Sequence, residues 1–112
     1  MAEWQRTHTC EQLREEHVGQ TVTLNGWVLT ARTNGHQTFI DLRDRYGLTQ
    51  VVFHKAENAD LYAQSEKIRA EWVLSVTGVV RKRLEGAARA DISTGAVELE
   101  AQTLRVLNEC PP

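Results

Sequence analysis

The sequence is poor in several things that would point elsewhere. It has two cysteines, two prolines (both at the very end), one methionine and 6% aromatic residues among 112 positions. No apolar run nears the ~20 residues needed to cross a bilayer, and the opening MAEWQRTHTCEQLREEHVGQ is too polar for a secretory signal, so a cytoplasmic, non-membrane protein is expected. Cys10 and Cys110 lie near opposite ends, where a disulfide would staple the termini; with no secretory context, free thiols are expected instead. No excess of positive charge is present: the formal net charge is −2 and the pI is near 6.1, which argues against coating nucleic acid through bulk charge. Any nucleic-acid site must therefore be local.

Catalytic signatures are missing too. His8, His17, His36 and His54 show no metal-ligand spacing, no GxSxG or GxxxxGK[ST] motif occurs, and neither thiol has a catalytic setting. Asp41 and Asp44 flank Arg43, but their ordinary reading is a salt-linked turn. No catalytic residue, metal or cofactor is expected in this chain.

What is present is an ordered series of β patterns. The composition, 41% hydrophobic and 25% charged, suits one packed domain spanning residues 1–112. Thr9 and Gln12 have the spacing of a capping box and predict a short helix over about residues 10–18, stopped at Gly19. Alternation from Gln20 to Arg32 predicts a long strand, with Val22, Leu24, Gly26 and Val28 on one face and Gly26 marking a bend or bulge. Thr38–Arg43 and Leu48–His54 read as a hairpin, with Asn34-Gly35 as the turn before it. Asn58 is placed to cap a helix over about residues 59–70, with Leu61, Ser65, Ile68 and Trp72 on a shared face. Trp72–Arg83 and Val97–Leu107 complete five strands, and residues 84–96 read as a long rim loop. Three strands, a helix and two strands is the order of the OB-fold, a Greek-key barrel that commonly binds oligonucleotides on one face. The Pro111-Pro112 ending reads as a domain boundary.

A single-stranded nucleic acid would suit the outward aromatic Phe39, the outward amide Gln50 and the basic Arg32, Arg43, Arg81 and Arg83. Alternation puts Arg81 and Arg83 on one face and Lys82 on the other, and the ordinary reading of this RKR run is a solvated strand end. Trp27 and Trp72 are expected in the core.

The blocks HVGQTVTLNGWV, FIDLRDRYGLTQVVF, WVLSVTGVVRKR and STGAVELEAQTLRVLN resemble the N-terminal anticodon-binding domain of bacterial-type aspartyl-tRNA synthetases. The match covers nearly the whole chain, and its most specific pieces are Gly26–Val28, Phe39–Asp44 and the TGxxE ending at Glu98. The resemblance implies that Phe39 stacks on the middle anticodon uridine, that Gln50 hydrogen-bonds to it, and that Glu98 meets an anticodon base. It likewise implies that Arg32, Arg81 and Arg83 hold phosphates. The partner it implies is a tRNA anticodon loop, expected to be that of the aspartate tRNA. The family's full-length enzymes are homodimers, use ATP and magnesium, and carry a class II catalytic domain whose motifs are not in this sequence; for this chain alone a monomer stays open. The sequence departs from the family at Leu29–His36, where only Arg32 and Gly35 remain of an arginine run and a glycine turn. A related asparaginyl- or lysyl-type domain, or a stand-alone single-stranded nucleic-acid-binding module, remain alternatives.

Overall fold

The computed structural model describes residues 5–83, 92 and 94–109. Five strands, β1 (Thr21–Thr33), β2 (Gln37–Arg43), β3 (Leu48–His54), β4 (Val73–Lys82) and β5 (Val97–Asn108), close into a barrel in the order β1-β2-β3-β5-β4. All neighbours are antiparallel except β3 and β5, whose short parallel contact pairs Val51 with Leu99 and Val52 with Glu100. This is the mostly β, five-stranded architecture expected from the sequence.

Alternation decides what fills the barrel. Val22, Leu24 and Val28 of β1, Ile40 and Leu42 of β2, Val51 and Phe53 of β3, Leu74, Val76 and Val80 of β4, and Val97 and Leu99 of β5 form one buried cluster. Because strand side chains alternate faces, the residues between them are turned away from the barrel interior, where some, such as Val52 and Ser75, are still buried and others reach the surface. The helix α1 (Ala59–Ser65) is capped as expected, the Asn58 side chain accepting from the Leu61 N–H at 3.0 Å. It is shorter than the predicted 59–70. Leu61 and Ile68 still reach the core, with Trp72 packed against it, because turns continue the chain after Ser65.

β1 serves two partners. Thr21–Trp27 pairs with β4, and from Trp27 onward the strand pairs with β2. Gly26 sits at this crossover, where a Cβ would run into the Arg43 carbonyl oxygen, so the anticipated special position is a close approach of two backbones. The bulge itself falls three residues later: the register moves from Val28↔Leu42 to Thr30↔Asp41, leaving Leu29 as the extra residue.

Several expectations are corrected. The N-terminal helix over 10–18 does not form; a turn at Cys10 and a 3-10 turn at Glu15–His17 stand in its place. Half of the predicted capping box exists, with Thr9 N–H donating to Gln12 Oε1 at 2.7 Å. The Cys10 N–H, however, is taken by Asp44 Oδ2 at 2.8 Å, which ties this segment to the barrel. Asp44 is not a solvated, salt-linked residue but a buried hub whose Oδ1 also accepts from Tyr46 and Gly47 N–H groups at 2.8 and 3.0 Å. Trp27 is 37% exposed rather than in the core, because its odd position in β1 turns it outward opposite Val73. Cys10 is a free, buried thiol. Cys110, the Pro111-Pro112 ending and most of the 84–96 loop lie outside the described residues.

Candidate nucleic-acid interface

The outward face of β1, β2 and β3 forms an open groove of about 830 Å³ whose lining includes Arg32, Phe39, Gln50, Arg83 and Glu98. Five of the seven residues singled out from the sequence therefore come together, four from β1, β2, β3 and β5 and Arg83 from just past the end of β4.

Strict alternation from Val28 would have turned Arg32 into the barrel. The bulge at Leu29 shifts the phase by one, so Thr30 and Arg32 face outward, paired with Asp41 and Phe39. The Arg32 guanidinium carbon lies 5.4 Å from the Phe39 ring centroid, a cation–π contact that holds a positive charge beside the ring. Phe39 remains half-buried, with apolar area left for a stacking partner.

Gln50 faces the groove as predicted but is only 5% exposed. Its Nε2 donates to Glu98 Oε1 at 3.3 Å, which fixes the amide beside a carboxylate. Burial pushes the Glu98 carboxyl above its ordinary value and Glu100 adds to the rise, while Arg83, His54 and the Gln50 hydrogen bond pull it down. A partly desolvated carboxylate of this kind suits a base N–H donor and repels a phosphate.

The basic residues divide differently from the expectation. Arg83 is buried, its Nε donating to the Val97 carbonyl at 3.2 Å, and its charge acts on Glu98. Arg81 does not line the groove; it is exposed and ion-paired to Glu100, Nε to Oε2, at 3.1 Å. Lys82, expected on the opposite face, lines the groove in its stead, at the end of β4. Arg43 is also outside the lining. Thr30, Gln37, Asp41 and His54 complete the groove; the sequence raises Asp41 only for acid–base chemistry and His54 only as a metal ligand, and assigns none of the four to a nucleic-acid face. Their signal was available for the hairpin: Gln37 and Asp41 share the parity of Phe39, as His54 shares that of Gln50. Among the described residues no group of three His, Cys, Asp or Glu could hold a metal, and no helix is long and apolar enough to cross a membrane.

This groove on a closed five-stranded barrel agrees with what comparison finds. Residues 22–107 match the tRNA anticodon family, described as an OB-fold nucleic acid binding domain. The chain belongs to that family. It is 52% identical over 109 residues, 96% of its length, to an aspartate–tRNA(Asp/Asn) ligase of Salinibacter ruber. It spans only 17% of that relative's length. Among solved structures, the OB-fold domain superposes with a TM-score of 0.75 on the asparaginyl-tRNA synthetase from Pyrococcus horikoshii, at 26% identity over 92% of this chain and 23% of that one. The aspartyl tRNA synthetase from Entamoeba histolytica, at 24% identity, gives a TM-score of 0.83 over 96% of this chain and 22% of that one, a likeness of fold.

Proposed function

We propose that this OB-fold domain reads the anticodon of the aspartate tRNA as the specificity arm of an aspartate–tRNA ligase, with loop bases unstacked into the groove. The observation that carries the reading is the juxtaposition of Phe39 with the Gln50–Glu98 pair, under Arg32, in one groove. An aromatic face supplies stacking to any base, whereas an amide held by a carboxylate presents fixed hydrogen-bonding groups to one base edge. Arg32 and Lys82 supply charge for the phosphates, and Arg83 sets the charge balance at Glu98. Residues 1–112 act as one binding domain that needs no cofactor, the ATP- and magnesium-dependent chemistry belonging to a catalytic domain of the parent enzyme. Such a ligase works in the cytoplasm, where its tRNA is.

The test is binding of the purified chain to an RNA hairpin carrying the GUC anticodon, and to a copy with the middle uridine replaced. Preference for the uridine hairpin is expected, with the preference lost in Gln50→Ala and affinity lowered in Phe39→Ala by ~1 to 3 kcal/mol without loss of fold. Equal binding to both hairpins would contradict the anticodon reading. Because the Salinibacter relative is named for both tRNAs, a GUU hairpin belongs in the series, and near-equal affinity for GUC and GUU would extend the reading to the asparagine tRNA.

A further inference from the structure

The floor of the groove is laid out in rungs. Across β2 and β3 the pairs of this parity are Asp41 with Gln50, Phe39 with Val52, which is itself fully buried, and Gln37 with His54. Successive rungs on one face are separated by two residues, or ~7 Å. That is about twice the ~3.4 Å repeat of stacked nucleotides, so bases occupying neighbouring rungs have to be splayed apart. On the side of Phe39 away from Gln50, the next rung is Gln37 with His54, and both side chains line the groove.

A chain of hydrogen bonds sets the orientation of that rung. Asn34 Oδ1 accepts from the backbone N–H groups of His36 and Gln37 at 2.9 and 2.8 Å, which identifies it as the oxygen. Its Nδ2 then donates to Gln37 Oε1 at 3.5 Å. The Gln37 Nε2 is thereby the atom turned to His54 Nδ1, 3.3 Å away. An amide nitrogen only donates, so Nδ1 accepts and the neutral imidazole carries its proton on Nε2. The turn before β2 thus favours, in the neutral imidazole, a proton on Nε2 of a side chain at the end of β3.

We propose that His54 is a second base-binding residue, holding an unpaired nucleobase adjacent to the one over Phe39 through its ring face and its Nε2–H, which donates to an acceptor on the base edge. Asn34 and Gln37 are positioning residues for it. The inference rests on the RNA-binding reading above and adds a residue and a subsite to it.

The experiment measures binding of the chain and its variants to the GUC hairpin, and to two copies in which one or the other neighbour of the middle uridine is abasic. His54→Ala is expected to weaken binding of the intact hairpin by about 5- to 100-fold, and to make no difference on one of the two abasic hairpins. His54→Phe keeps a stacking face without the N–H donor, so it is expected to fall between wild type and His54→Ala while melting like wild type. Nitrogen-15 NMR of the free chain is expected to show the Nε2–H tautomer. An unchanged affinity in His54→Ala, an equal loss on both abasic hairpins, or the Nδ1–H tautomer would overturn the proposal. Phe39→Ala separates the two levels. Weak binding there with normal binding in His54→Ala removes only the second subsite, whereas normal binding in both removes the groove as the RNA site and the proposal with it.

Discussion

Glu98 carries a cost of burial. Its folded carboxyl titrates above its ordinary value, chiefly because the ionised form is partly desolvated. Between the ordinary value of 4.5 and the raised folded one, the native state binds more protons than the unfolded state, so this group's contribution to stability falls as pH rises through that window. Below 4.5 the penalty is absent in both states; above the folded value it is fully present. Glu98→Gln removes the titration. Urea unfolding from mildly acidic to neutral pH is therefore expected to show wild type losing stability relative to Glu98→Gln as pH rises, and parallel curves would contradict the burial argument. Cys10 is held in the opposite sense to a reactive thiol: burial first, then Asp44, raises its pKa far above the usual range, so it stays protonated.

At the scale of elements, strand phase is the quantity that matters, and glycines and a bulge set it. Gly26 allows β1 to pass from β4 to β2 against the Arg43 carbonyl, with Leu42 packed on the same spot. Gly26→Ala has no soft neighbour to displace, since the obstructing atom is backbone. It is expected to destabilise the fold by about 1 to 3 kcal/mol, as overpacking does, with a lowered urea midpoint as the measurement; an unchanged midpoint would show that the crossover can open. Strand phase also separates what the sequence could disclose from what it could not. β2 and β3 were legible because hairpin alternation is local, which made Phe39 and Gln50 readable as neighbours across one face. Arg32 faces the groove only through the bulge at Leu29, which follows from pairing with β2 and leaves no mark in the local pattern. The predicted N-terminal helix failed for a similar reason. Its first free N–H groups, which a capping box would satisfy locally, include one claimed by Asp44, a residue 34 positions away. In β4, the exchange of Arg81 for Lys82 at the groove reflects Glu100 of β5, which draws Arg81 into an ion pair. Such partners become known only when distant strands meet.

The whole molecule binds, on this reading, without the electrostatic advantage usual for RNA-binding domains. Its net charge is −2, and the groove sets Arg32, Lys82 and Arg83 against Asp41 and Glu98. Affinity should then depend on stacking and base-edge contacts more than on counterion release. If about two or three phosphates are neutralised, the logarithm of affinity is expected to fall with the logarithm of salt concentration at a slope of roughly −1.4 to −2.1. Titration of the GUC hairpin across a series of KCl concentrations measures it. A slope steeper than about −4 would mean that a larger phosphate track exists outside the groove.

The barrel's seam also says something about how this molecule comes into being. β3 meets β5 over two paired positions, Val51 with Leu99 and Val52 with Glu100, and β5 is the last of the strands among the described residues. A ribosome making this polypeptide releases β1, β2, β3, α1 and β4 before the strand that closes the ring, so the nascent chain waits with the edges of β3 and β4 unpaired. Glu98 arrives with that closing strand. A partly synthesised chain thus has neither the closed ring nor the finished groove, because both wait for β5.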